Sequence, residues 1–137
     1  LLYLNSITEI PLVQLISSSE KQPYDQNIIN SKLNYDIMVT ETGLKDISSY
    51  ADVIGVPKNL IIPFTENRDA MSPTDLIERA HNKNLLVHVY TFRNEARFLL
   101  NDYQGKPEKE YLEFYSLGVD GLFTDFTHTA YKVLNIN

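Results

Sequence analysis

The sequence predicts an α/β domain built on a parallel sheet. Three observations predict it: four short apolar runs rich in Val, Ile, Leu and Phe, helical patterns between them, and a spacing of 33 to 40 residues from the start of one run to the next. The runs lie at residues 11–17 (PLVQLIS), 51–56 (ADVIGV), 84–91 (NLLVHVYT) and 118–126 (GVDGLFTDF). Short apolar runs bounded by polar or turn residues suit buried parallel strands better than helices. The spacing is the size of a βα unit, and alternating units imply a parallel sheet with helices packed on it. A full (β/α)8 barrel takes about 250 residues. Four units therefore make either a small open α/β domain or half of such a barrel, and composition does not separate the two.

The elements follow in order. The first run carries Gln14, a polar side chain that needs a partner if the strand is buried; a barrel interior holding a ligand would supply one. Residues 17–34 are polar with little periodicity and read as a surface loop. Residues 43–50 (GLKDISSY) read as a helix leading into the second run. After an irregular stretch at 57–71, Ser72-Pro73-Thr74-Asp75 is a helix start, with a hydroxyl at the cap and Pro near the first turn. The helix at 75–83 places Leu76, Ile77 and Ala80 on one face. The third run is followed by a second irregular stretch at 93–105. A helix at 107–117 then brings Tyr111, Phe114, Tyr115 and Leu117 together, with Gly118 as its stop. The fourth run leads into a helical segment at 127–134.

The chain has 137 residues, read as a single domain over 1–137. Hydrophobic residues at 43% and charged residues at 22% are globular values. A net charge of -6 disfavours a nucleic-acid partner, since a phosphate backbone wants Lys and Arg. The absence of cysteine excludes disulfides, thiol nucleophiles and zinc-thiolate sites. No apolar run approaches the roughly 18 residues of a transmembrane segment. The first residue is Leu1, and a chain cut from a longer one is expected at least as readily as a processed terminus.

No Gly-rich phosphate loop, HExxH, GxSxG or EF-hand pattern is present. His81 on its helix and His128 after the last strand read as surface residues. His88 shares a strand face with Tyr90 and reads as a hydrogen-bonded core histidine rather than a base. The candidates for binding lie at strand ends. Tyr90 offers an apolar wall with a polar tip. Arg93 offers a fork matched to phosphate, or else a surface ion pair with Glu95. Lys58 reaches a phosphate or is an ordinary exposed loop lysine. Asp125 holds a cation or hydroxyls, or caps the helix at 127–134.

The segments PLVQLI, YADVIG, LLVHVYTFR and GVDGLFTDF resemble the C-terminal half of secreted or periplasmic-type glycerophosphodiester phosphodiesterases, over residues 11–135. Many relatives have Pro where Val89 stands. The resemblance implies a TIM (β/α)8 barrel whose last four strands are the four runs. It implies hydrolysis of glycerophosphodiesters to glycerol 3-phosphate and an alcohol. It also implies a divalent cation, calcium or magnesium, held by acidic residues, with two histidines as acid and base. Those groups belong to motifs of the first half of the barrel, a His-Arg pair and a Glu-x-Asp among them, and neither motif occurs here. No catalytic residue and no metal ligand is therefore expected in this chain; its partners are the N-terminal half and a small-molecule substrate. Gln14, Lys58, Tyr90, Arg93 and Asp125 are the expected substrate-binding residues. The alternatives are a non-catalytic half-barrel acting as a binding or structural module, and a small α/β signalling domain. The second would need an acidic cluster at a strand end, where only Asp125 offers itself.

Overall fold

A computed structural model of the chain describes residues 1–18 and 21–135. Four strands form one sheet: β1 (Val13–Leu15), β2 (Val53–Pro57), β3 (Leu86–Phe92) and β4 (Gly121–Thr124). Their order is β1-β2-β3-β4 and every neighbouring pair is parallel, as the apolar runs and their spacing predict. Between and around them lie α1 (Leu2–Asn5), α2 (Tyr24–Ile28), α3 (Tyr35–Met38), α4 (Glu41–Ile47), α5 (Leu76–His81), α6 (Pro107–Ser116) and α7 (Thr127–Leu134).

Helix boundaries follow local caps. α4 begins earlier than the apolar pattern suggests, because the Thr40 hydroxyl accepts from Gly43 N at 3.1 Å. α3 starts where the Asn34 side chain accepts from Ile37 N at 3.0 Å. The stretch at 17–34 is not wholly loop: it holds α2, while residues 19 and 20 lie outside the described residues. The Ser72 hydroxyl does not cap α5. Thr74 Oγ1 instead donates to Leu60 O at 2.7 Å, which ties the helix entry to the preceding loop. α6 carries Pro107 in its first turn and ends before Gly118, whose φ of 91° favours a residue without a Cβ.

The two faces of the sheet differ. Ile54, Val56, Val87 and Val89 are fully buried on one face. They pack in one core with Leu44 and Ile47 of α4, Leu76 and Ala80 of α5, Tyr111 and Phe114 of α6 and Val133 of α7. The register aligns Leu15, Gly55, His88 and Gly121 in a row on the other face. That face is uncovered: Leu15 is 55%, Leu86 47% and Phe123 42% exposed. Parallel sheets are ordinarily covered on both faces. The glycines in this row make room for their neighbours. A Cβ on Gly121 would lie 2.5 Å from the His88 ring, and one on Gly55 would lie 2.6 Å from Leu15 Cδ2.

Two aspartates brace the opposite, N-terminal end of the sheet. Asp52 precedes β2 and accepts from Leu12 N at 2.8 Å; Asp120 precedes β4 and accepts from Val87 N at 2.8 Å. Each also donates its own N–H to the same neighbour's carbonyl, Leu12 O or Val87 O. Each stands immediately before the first residue of its strand, so one device is used twice. His81 is not simply a solvated surface residue, because its Nε2 lies 2.8 Å from Asp120 Oδ2. Asp120→Ala is expected to destabilise the protein by about 2 kcal/mol, the value of a lost hydrogen bond to a charged group. Asp120→Asn retains an acceptor and is expected to cost less than half as much; paired urea titrations check both.

Candidate functional site

Because all four strands run parallel, their C-terminal ends gather on one side of the sheet, bringing together Ile16, Pro57, Tyr90, Arg93, Thr124 and Asp125. Strand alternation turns Tyr90 onto the uncovered face. Its hydroxyl donates to Ile16 O, spanning β2, and its ring stands edge-on to Phe123 with centroids 6.3 Å apart. Burial raises the phenol pKa, so Tyr90 is a neutral donor held in one orientation. His88 lies on the same face, edge-on to Phe123 at 6.2 Å, and packs across Gly121 rather than hydrogen-bonding within the described residues.

Arg93 follows β3 directly. Its Nη2 lies 2.7 Å and its Nε 3.2 Å from the two Glu95 carboxylate oxygens, and Nε is also 3.1 Å from Asp125 Oδ2. The guanidinium lies 4.8 Å over the Phe98 ring, with Arg97 at 4.7 Å from the same ring. The hydrogen bond from Arg93 lowers the Glu95 pKa, and the same bond raises that of Arg93. The ion pair with Glu95 is therefore the arrangement found, with Asp125 added to it. Asp125 is not the helix cap. α7 has no side-chain cap, and Phe126 N is taken by Thr124 Oγ1 at 2.9 Å, while the Asp125 carboxylate turns across to Arg93.

Two of the candidates sit behind the sheet. Gln14 shares its row with Ile54 and Val87, on the helix-covered face. Its partner is Tyr50, whose hydroxyl donates to Gln14 Oε1 at 3.1 Å, and its Nε2 donates to Leu15 O at 2.9 Å. Pro57 pairs with Tyr90 towards the open side, so Lys58 falls on the other. Its Nζ reaches Glu110 Oε1 of α6 at 2.7 Å and lies 5.3 Å from the centre of the Phe92 ring. Lys58 is thus neither a free loop lysine nor a group facing the open side.

Sequence reasoning passed over Glu110, which is 2% exposed. Its spacing of four from Phe114 on α6 was the available signal, since residues at that spacing share a helix face. It also passed over the clamp between the loops that follow β2 and β3. The Arg68 guanidinium donates to Arg97 O and Leu99 O. Asn101 Nδ2 donates to Asn67 O at 2.7 Å and Asp69 Oδ1 at 2.8 Å, and Ala70 N donates to Asp102 Oδ2 at 2.7 Å. These bonds join the two loops at the strand ends into one rim.

The residues present do not fit a divalent cation. Glu95 and Asp125 both engage the Arg93 guanidinium, and among the described residues no three carboxylates or imidazoles converge. What the arrangement supplies is an aromatic wall, a fixed phenol and a guanidinium clamped between two carboxylates. These are groups that bind and orient.

The sequence pattern of the glycerophosphoryl diester phosphodiesterase family matches residues 2–129. Glycerophosphodiester phosphodiesterase GDPD6 of Arabidopsis thaliana is 40% identical over 135 residues, covering 96% of this chain and 34% of that protein. Glycerophosphodiester phosphodiesterase GDPDL1 of the same plant is 35% identical over 92 residues, covering 65% of this chain and 12% of the relative. Protein SUPPRESSOR OF NPR1-1 CONSTITUTIVE 4, also from Arabidopsis thaliana, is 33% identical over 92 residues, covering 65% of this chain and 8% of that protein. The chain spans about a third of the first of these and far less of the others.

Proposed function

The chain belongs to the glycerophosphoryl diester phosphodiesterase family, and on that premise we propose that it is the C-terminal half of a (β/α)8 barrel that hydrolyses glycerophosphodiesters to glycerol 3-phosphate and an alcohol. The observation that carries this reading is the uncovered face of an otherwise well-packed parallel sheet. It bears Leu15, Leu86, His88, Tyr90 and Phe123, and the N-terminal half of the barrel would cover it. A calcium or magnesium ion would be held by that other half, where it would neutralise phosphate charge. A secreted or periplasmic-type setting belongs to the same reading.

Phosphodiester hydrolysis needs charge neutralisation and a proton for the leaving oxygen. The residues of this chain do the positioning. Tyr90 and Phe123 form a wall for the carbon skeleton of the substrate. Arg93, 33% exposed and held by Glu95 and Asp125 through Nε and Nη2, offers its remaining N–H groups to an anionic oxygen. Asp125, 59% exposed, is the acceptor available to a substrate hydroxyl. Gln14 and Lys58 support the pocket from the helix side, through Tyr50 and Glu110. No proton transfer is assigned to any of them.

In the complete protein, Tyr90→Ala is expected to lower kcat/KM on glycerophosphocholine about tenfold without abolishing turnover, because the loss is one of positioning. Tyr90→Phe is expected to keep near-normal kinetics and to cost stability by about 1 kcal/mol, since the hydroxyl bonds Ile16 O rather than facing the pocket. Kinetic constants and urea midpoints of both variants decide the matter. Unchanged kinetics in Tyr90→Ala beside a large stability loss would remove Tyr90 from the pocket.

A further inference from the structure

A single short turn of chain carries two of the groups that hold Arg93. After β3 the backbone turns at Ala96–Phe98, where Phe98 N donates to Glu95 O at 2.9 Å and Leu99 N donates to Ala96 O at 3.1 Å. The Glu95 carboxylate, at the start of the turn, takes Nη2 at 2.7 Å and Nε at 3.2 Å along one edge of the guanidinium. The Phe98 ring, at the end of the turn, has the same guanidinium 4.8 Å over its face. Hydrogen bonds along one edge leave a planar group free to tilt about that edge. A ring against it opposes the tilt, through contact and through cation–π attraction.

Core packing does not explain Phe98. The residue is 39% exposed and stands outside the core that Phe92, Tyr111 and Phe114 share. What fixes it is the neighbouring loop. Arg68, after β2, donates to Arg97 O and to Leu99 O, the carbonyls of the residues on either side of Phe98. Arg68 O in turn accepts from Asn101 N at 3.0 Å. Bridging two carbonyls suits the planar fork of an arginine, which a single ammonium on a flexible stem does not reproduce. The ring is thus set by a residue of one loop, and the guanidinium by a residue of the next.

We propose that Phe98 is a positioning residue for the phosphodiester, acting through Arg93, and that Arg68 sets Phe98 in place from the neighbouring loop. The inference rests on the reading in which Arg93 meets the anionic oxygens of the substrate. With one edge held by Glu95 and its tilt held by Phe98, the guanidinium presents its far end in a constant direction. Two parallel N–H groups there match the two non-bridging oxygens of a phosphodiester.

The test pairs kinetics with crystals of the intact protein. Arg97 lies 4.7 Å from the same ring, so the kinetics must separate the two arginines. Arg93→Met is expected to lower kcat/KM on glycerophosphocholine at least about tenfold, the effect of a lost hydrogen bond to a charged group. Phe98→Leu is expected to lower it about fivefold, the scale of a partly exposed cation–π contact. Phe98→Tyr recovers most of that loss, and in an Arg93→Met background Phe98→Leu costs nothing further. In crystals, the Arg93 guanidinium leaves Glu95 or takes several orientations in Phe98→Leu and in Arg68→Gln, and keeps its place in Phe98→Tyr. Should Phe98→Leu fail to fold, Phe98→Met keeps the bulk without the ring and is read in the same way. A loss from Phe98→Leu that survives in the Arg93→Met background, or an Arg93 guanidinium unmoved in Phe98→Leu, would overturn the proposal. An intact wild type without phosphodiesterase activity defeats the catalytic reading instead, and the crystals alone then decide whether Phe98 and Arg68 orient Arg93.

Discussion

Lys58→Met is expected to destabilise the folded protein by about 3 kcal/mol at neutral pH, because it leaves the Glu110 carboxylate buried without its counter-ion. The pH dependence follows from the direction of the Glu110 pKa. Burial raises it, and Lys58 pulls it part of the way back. A carboxyl whose pKa is higher in the folded state than in the unfolded chain contributes its stability in full below the unfolded value. That contribution is lost as pH rises through the folded value. Removing Lys58 takes away the lowering influence and moves the folded pKa further up. The deficit of Lys58→Met is therefore largest at pH 7 and shrinks as Glu110 takes up a proton on acidification. Urea midpoints at pH 7 and pH 5 read it directly, and an equal deficit at both would show that Glu110 is not the group responsible. Glu110→Gln is expected to cost less, since Lys58 is 20% exposed and can turn its ammonium to water.

Gly43→Ala is expected to be of similar size, about 3 kcal/mol, at the top of the range for overpacking. A Cβ at this position would lie 2.2 Å from Ile37 O, 2.5 Å from Met38 O and 2.7 Å from Met38 C. All three are backbone atoms, which do not swing aside as a side-chain tip does. The helix cannot slide away either, because Gly43 N is held by the Thr40 cap and Leu44 and Ile47 on the same helix are buried in the core. Gly105→Ala is the control. Its φ is 69° but its nearest neighbour, Ala96 Cβ, is 3.9 Å away, so only backbone strain of about 1 kcal/mol is expected. Thermal midpoints of the two variants should therefore differ clearly, and a Gly43→Ala protein as stable as the wild type would mean that α3 and α4 do not pack as closely as described.

The strands were legible because each is a short apolar run, and α5 and α6 because their apolar faces are local signals; α2 and the Thr40 cap that starts α4 early were not read. Thr40 and Pro107 act within one turn of the helix that they start. What else was not legible depends on pairs far apart in the chain. Asp125 follows a strand and precedes a helix, so cap propensity was the available local reading, and Arg93 at the end of the neighbouring strand overrides it. Gln14 is a polar residue in a strand, and alternation alone does not say which face the helices cover; Tyr50 supplies the answer. Lys58 and Glu110 are 52 residues apart, and neither spacing nor composition joins them. Tyr90 was placed on its face by alternation, but the bond from its hydroxyl to Ile16 crosses two strand positions and needed the sheet order.

The central claim is that this chain supplies one wall and rim of a barrel whose chemistry lies in the other half. The most direct measurement is the release of glycerol 3-phosphate from glycerophosphocholine, with calcium or magnesium present, by three preparations: the purified chain, the intact protein, and the chain combined with the separately produced N-terminal half. The account predicts no release above buffer from the chain alone, metal-dependent release from the intact protein, and recovery of that release when the halves are combined. Metal-dependent turnover by the chain alone would contradict it, as would an intact protein with no phosphodiesterase activity.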